Sequence, residues 1–70
     1  MQMSARNQLR GIVKSIRQGD IMAEIVVELP DGQQITSVIT TDAVQSLHLQ
    51  VGDHVFTLIK STEVMIGKNE

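Results

Sequence analysis

Apolar and polar residues alternate along "IMAEIVVEL", residues 21 to 29. Ile21, Ala23, Ile25, Val27 and Leu29 share one face of an extended strand, and Met22, Glu24, Val26 and Glu28 share the other. Upstream, "QLRGIVKSIR" sets Leu9, Gly11 and Val13 against Arg10, Ile12, Lys14 and Ile16, so apolar groups occur on both faces. Downstream, "QQITSVIT", "HVFTLIK" and the short "EVMIG" are rich in β-branched residues and predict three more strands. "RQGDI" and "LPDGQ" carry Gly with Asp between strands and predict hairpin turns, with Pro30 ending its strand because it cannot donate to a ladder. One segment breaks the β pattern. In "TTDAVQSLHL", Thr41 can cap, Asp42 suits a first turn, and Val44 and Leu47 recur at helical spacing, which predicts a helix over 42–47.

The predicted order is β-β-β-α-β-β. It matches an all-β, five-stranded OB-like Greek-key barrel with one short helix between strands 3 and 4. Closure into a barrel removes the sheet edges that an open sheet would expose. Ile12, Ile16, Met22, Val26, Val38, Phe56 and Leu58 are left as candidates for outward strand faces. That is more aliphatic surface than a small monomer should expose. Either some of these residues face the helix or the barrel end, or they are buried between subunits; the second is the favoured reading.

Length and composition narrow the classes. Seventy residues of uniform composition form a single domain, 1–70, with one small core. Cysteine is absent, which removes disulfides and thiolate metal sites as sources of stability and leaves oligomerisation. His48 and His54 have no partner at a recognised metal spacing and read as solvated or packing residues, so no metal is expected by direct coordination. No apolar run approaches 18 residues, and no secretory or lipidation signal is visible, so no membrane contact is expected and a cytoplasmic location is the default.

Catalysis has no visible machinery. There is no Cys, no Gly-rich phosphate loop and no nucleophile-elbow context for a Ser, so the chain is read as a non-enzyme. Single-stranded nucleic acid needs aromatic stacking platforms and a positive groove, whereas this chain has one Phe, no Tyr, no Trp and a net charge of −2. Two donor-rich motifs remain, "SARNQ" at 4–8 and "KST" at 60–62, before the first strand and after the fourth. Strand ends can present backbone N–H groups that the ladder no longer uses, and Ser4, Arg6, Lys60 and Ser61 add hydroxyl and cationic donors without a carboxylate. The residues alone leave two readings open: a small oxyanion site, or a polar N-terminus and a solubilising lysine.

"SARNQLRG" at 4–11, "MAEIVVEL" at 22–29, "ITSVIT" at 35–40 and "KSTEVMIG" at 60–67 resemble the molbindins, the small molybdenum-pterin-binding (Mop) proteins. The resemblance covers essentially the whole chain. It implies an OB-like barrel assembled as a homo-hexamer, a trimer of dimers, that binds molybdate or tungstate at subunit interfaces for intracellular storage or homeostasis. Carried over by motif, Ser4, Ala5 and Arg6 would supply hydroxyl, backbone and cationic or backbone donors, with Lys60 and Ser61 completing the site from a neighbouring subunit. Asn7 would hold the loop's shape, and the turn at Gly19 and Asp20 could add a backbone N–H. At position 20 the chain departs from the apolar residue that the family pattern leads one to expect.

The ligand's chemistry is consistent with that donor set. Molybdate is a dianion with four acceptor oxygens and no proton at neutral pH, so its site should hold donors only, and protonated phosphate would find no acceptor for its hydrogen. Hydrogen bonds to a charged group are worth about 1.5 to 3 kcal/mol each, against a desolvation cost of several kcal/mol, so several donors must converge. Two alternatives follow: a molybdopterin ligand, which would want an aromatic or shape-matched slot, and a single-strand nucleic-acid-binding OB module.

Overall fold

The computed structural model describes residues 4–69; residues 1–3 and 70 of the expected 1–70 domain lie outside the described residues. Four strands form one antiparallel sheet: β1 (Asn7–Gln18), β2 (Met22–Glu28), β3 (Gln34–Thr40) and β4 (His54–Ile59). A helix, α1 (Thr41–Ser46), joins β3 to β4, and a 3₁₀ turn (Ser61–Glu63) follows β4. The spatial order is β3-β2-β1-β4.

β1 is long because it serves two partners. Asn7 to Ile12 pair with β4, from Asn7 against Ile59 to Ile12 against His54. From Ile12 onward the strand pairs with β2, and the register shifts between Val13 and Ser15, leaving Lys14 as an extra residue. A bulge of this kind bends its strand and increases the local twist, which curls the sheet into an OB-like half-barrel. It also accounts for the mixed faces of "QLRGIVKSIR". Val13 lies opposite Val27 and Ile16 opposite Ile25, so residues of opposite parity reach the same interior. Ile16, expected among the outward residues, is half-buried against the core for that reason. Ile12, Met22, Val38, Phe56 and Leu58 are exposed as expected, and Val26 is half-buried.

The core is small. Val13, Ala23, Ile25, Val27 and Val44 are buried, fringed by Ile16, Ile39, Leu49 and Val55. Gly11 is required beside it: a Cβ at this position would lie 2.5 Å from Val27 Cγ1 and 2.7 Å from the Glu28 carbonyl oxygen. The turn preceding β4 is fastened to the bulge, since Gly52 N–H donates to the Val13 carbonyl (2.8 Å) and Val13 N–H to that of Asp53 (2.9 Å).

The helix begins one residue earlier than predicted. Thr40, not Thr41, is the cap, its hydroxyl accepting the Ala43 N–H at 3.0 Å. The Thr41 hydroxyl instead donates to the Gly19 carbonyl at 2.8 Å and its N–H to that of Ile21 at 2.8 Å, tying the helix start to the β1–β2 turn. At the other end, His48 takes a left-handed φ of 52°, with Leu49 N–H bonded to Val44 and His48 N–H to Gln45. This is a Schellman closure, and it gives His48 a role in backbone shape. In the β2–β3 turn, the Asp31 carboxylate accepts from the Gln33 side-chain amide at 2.6 Å and the Gln33 N–H at 3.2 Å, which holds its pKa below the usual 3.8. Because the folded value is the lower one, any stability this adds is present above pH 3.8 and is lost as pH falls through the folded value.

The predicted fifth strand is not formed. "EVMIG" has β propensity, but a strand exists only where its backbone groups find a ladder, and here the chain leaves the sheet after Ile59. Val64, Met65 and Ile66 are exposed at 47, 92 and 90 %. The barrel is therefore four-stranded and open between the edges of β3 and β4.

Substituting Gly11→Ala should destabilise the fold by about 1 to 3 kcal/mol through overpacking against Val27 and the Glu28 backbone. Urea denaturation should show this as a lower midpoint with an unchanged slope.

Candidate oxyanion site

The two donor motifs meet at one end of the sheet because of a single register. Asn7 lies opposite Ile59 and Gln8 opposite Leu58 in the β1–β4 ladder. Arg6 and Lys60 each lie one residue beyond the Asn7–Ile59 pair, where the ladder ends and the 3₁₀ turn at Ser61 begins. Residues 54 positions apart in sequence, Arg6 and Lys60, thus flank the same strand ends. The pairing is fastened near its end by the Thr57 hydroxyl, which donates to the Leu9 carbonyl at 3.1 Å.

Local contacts shape each half. The Gln8 side-chain amide reaches back from the start of β1 to the Ala5 carbonyl at 3.1 Å, tying the segment before the strand to its first residues. Ser4 and Arg6 are exposed, while Ala5 and Asn7 are half-buried. On the other side, Lys60 is extended (φ −65°, ψ 140°) and its carbonyl accepts the Glu63 N–H at 2.9 Å, starting the 3₁₀ turn. Both Lys60 and Ser61 are exposed. The role of Gln8 is not apparent from the motif's donor count; its spacing of three from Ala5 is the only sequence signal for it.

Charge at this end is uncompensated. The two ion pairs among the described residues join Lys14 to Glu28 (3.5 Å) and Arg17 to Glu24 (4.0 Å), both elsewhere on the sheet. Arg6 and Lys60 have no carboxylate within bridging distance among the described residues. The nearest acidic residue in sequence is Glu63, exposed in the 3₁₀ turn. Two like charges held at adjacent strand ends repel one another, and an anion between them would relieve that.

Gly19 and Asp20 are placed elsewhere. They form the turn at the far end of β1, a contour of roughly 36 Å from Asn7 at 3.3 Å per residue. The Gly19 N–H is already donated to the Met22 carbonyl at 2.8 Å. Within one chain this turn does not join the Ser4–Asn7 and Lys60–Ser61 cluster. The histidines are also separate from it: His48 closes the helix and His54 is exposed on β4, and no metal-ligand cluster occurs among the described residues.

Two concavities among the described residues lie away from the donor cluster. One, of about 650 Å³, lies on the outer face around Arg10, Ile12, Glu28, His54 and Phe56. The other, of about 400 Å³, is the apolar trough between β3 and β4. Ser4, Arg6, Lys60 and Ser61 are exposed, so within one chain these donor side chains stand open to solvent.

This curled sheet with one short helix is an OB-like fold, and comparison with known proteins gives its family. Residues 3–66 match the TOBE domain, and the chain belongs to that family. Within it, the chain is a Mop protein. It is 47% identical over 66 residues to molybdenum-pterin-binding protein 1 of Clostridium pasteurianum, covering 94% of this chain and 97% of that one. Among solved structures it superimposes on a molybdate-binding protein from Sporomusa ovata with a TM-score of 0.91 and 41% identity, covering 97% of this chain and all of the other. The cytoplasmic molybdate-binding protein ModG, in a form with molybdate bound, gives a TM-score of 0.89 at 40% identity, with this chain spanning 46% of its length.

Replacing Gln8 by Ala should release the Ala5 carbonyl and loosen residues 4–7 while leaving the core intact. Amide exchange at 4–7 is expected to accelerate, with the thermal midpoint lowered by no more than the few degrees that about 1 kcal/mol represents.

Proposed function

We propose that this chain is a non-catalytic binding protein for molybdate or tungstate, held between copies of the chain and serving intracellular storage or homeostasis. The observation that carries the reading is the β1–β4 register, whose last pair, Asn7 with Ile59, leaves the chain segments holding Ser4, Ala5 and Arg6 and holding Lys60 and Ser61 to continue from the same sheet end. This cluster offers hydroxyls, backbone donors and two cations, the set that a fully ionised tetrahedral oxyanion needs. Asn7 acts as a loop-shaping residue. Gly19 and Asp20 could reach the anion only from another copy, given their position at the far end of β1.

The open side of the cluster supports an interface site. A second subunit would exclude water from the anion, and burying the ligand against both copies would stabilise the assembly by mass action. The exposed outer face of Ile12, Met22, Val38, Phe56 and Leu58 supplies apolar surface for such contacts. The proposed assembly is a homo-hexamer, a trimer of dimers, of single Mop domains spanning 1–70 in the cytoplasm. The names of the relatives support molybdenum as the cargo, and the molybdate-bound form of ModG supports the free oxyanion. A pterin-bound species is less well served, since the lone aromatic, Phe56, lies on the outer face away from the donors. The scarcity of aromatics and the net charge of −2 likewise disfavour nucleic acid.

Titration calorimetry with molybdate, tungstate, sulfate and phosphate should show tight binding of the first two and weak binding of phosphate. The double substitution Ser4→Ala with Lys60→Ala should weaken molybdate by at least one to two powers of ten, roughly the loss of one charged hydrogen bond. Unchanged affinity would remove the cluster from the site. Release of a fluorescent pterin on denaturation would instead favour the pterin ligand.

A further inference from the structure

The structure assigns a modification site that the anion reading leaves unused: Asp31–Gly32, in the turn between β2 and β3, is where this chain isomerises spontaneously to isoaspartate, and the Gln33 side chain is the guard that slows the reaction. Of the four aspartates, Asp20, Asp31, Asp42 and Asp53, Asp31 alone is followed by glycine; the others precede Ile21, Ala43 and His54. The reaction needs the backbone nitrogen after the aspartate to reach its side-chain carbon, and a side chain on that next residue obstructs the approach. A Cβ built at Gly32 would find nothing within 4 Å, and Asp31, Gly32 and Gln33 are all exposed, so the ring and the water that opens it both have room.

The step closes a succinimide ring and then opens it. The Gly32 nitrogen, giving up its proton, bonds to the Asp31 Cγ, and the carboxyl group loses its hydroxyl, so one water leaves. A water then adds to one of the two ring carbonyls. Addition at Cγ restores aspartate. Addition at the Asp31 main-chain carbonyl breaks its bond to the Gly32 nitrogen, and the chain then runs through the side chain beside a free α-carboxylate. One water is lost and one regained, nothing is oxidised, and the mass is unchanged. The main chain gains one carbon between Glu28 and Gln34, the pair that closes the β2–β3 ladder at this turn.

Closure requires a neutral carboxyl group, because hydroxide leaves from the acid far more readily than oxide leaves from the carboxylate. Two contacts hold Asp31 in its ionised form. Its Oδ2 accepts from the Gln33 side-chain amide at 2.6 Å and its Oδ1 from the Gln33 backbone N–H at 3.2 Å, and donors to a carboxylate favour the charged state. The attacking group is also engaged. Gly32, at a φ of 91°, donates its N–H to the Leu29 carbonyl at 2.9 Å, and Leu29 N–H donates to that of Gln33 at 2.7 Å. The turn bonds thus restrain the nucleophile, and the Gln33 amide, which a substitution removes without altering the backbone, keeps the electrophile unreactive.

The unsubstituted chain, Gln33→Ala and Gln33→Glu would be aged side by side near neutral pH, in native buffer and, as the reference for the unguarded rate, in concentrated urea. Peptide mapping separates the isoaspartyl peptide from its equal-mass parent by retention, and electron-transfer fragmentation places the change at position 31. The native unsubstituted chain is expected to accumulate isoaspartate at 31 several-fold more slowly than the chain in urea. Each substitution is expected to speed the native chain several-fold toward that reference. Gln33→Glu keeps the size of the side chain while replacing its donor with a second carboxylate, so acceleration there does not come from lost bulk. Absence of isoaspartate at 31 in the urea sample overturns the site. Equal rates in the three native chains, or slower conversion in the substituted ones, overturn the guarding role of Gln33. Acceleration matched by equal gains at Asp20, Asp42 and Asp53 reports general unfolding and overturns that role as well.

Discussion

Simultaneous pairing of β1 with β2 and β4 is the constraint on which the rest of the molecule depends. A 12-residue strand shared by two neighbours cannot stay flat, and the extra residue at Lys14 is where it turns. The turn brings Val13 and Ile16 to one interior, lets the Gly52–Asp53 backbone dock on Val13, and needs a glycine at 11 where Val27 and the Glu28 backbone close in. The five buried side chains are a small core for a domain, and most of them lie on or opposite this bent strand. Backbone pairing therefore contributes much of the order that a larger protein would obtain from its interior.

The same strand organises the chemistry. Its first residues carry one donor motif, its β4 ladder delivers the other, and its last residues end in the Gly19 turn that the helix start holds through Thr41. The proposed anion cluster and the Gly19–Asp20 turn are thus opposite ends of one element. An acidic chain can still attract a dianion when its cations are concentrated at such an end and its ion pairs lie elsewhere. That separation is visible here, with Lys14 and Arg17 engaged by Glu28 and Glu24 and Arg6 and Lys60 left uncompensated among the described residues.

Much of this architecture was legible in the sequence, and the exceptions have physical causes. The alternation in β2 was readable because one face is buried and the other is not. The helix was displaced by one residue because adjacent threonines, Thr40 and Thr41, can both cap, and only the contact with Gly19 decides between them. In β1 the two-sided apolar pattern concealed a bulge, which alternation alone does not reveal. The composition of "EVMIG" favours a strand, yet pairing depends on a partner that composition does not specify. At the candidate site, the donor-rich motifs were visible as residue types. Their proximity depends on the Asn7–Ile59 register, and the holding role of Gln8 on a side-chain conformation; neither is encoded in local spacing.

The bulge has a consequence for how this chain can change in length. With Lys14 omitted, the pairing would run Val13 to Val27, Ser15 to Val26 and Ile16 to Ile25 without interruption, and every interior side chain would keep its face. Loss of Ser15 would do the same, with Lys14 taking its place opposite Val26, whereas loss of a residue elsewhere between Gly11 and Gln18 would shift part of the strand by one position and reverse its faces, unless the bulge moved to absorb the change. The extra residue between Val13 and Ile16 thus encodes curvature and not packing. Lys14 reaches outward to Glu28, at 3.5 Å, and takes no part in the core, whereas loss of the extra residue would flatten the barrel.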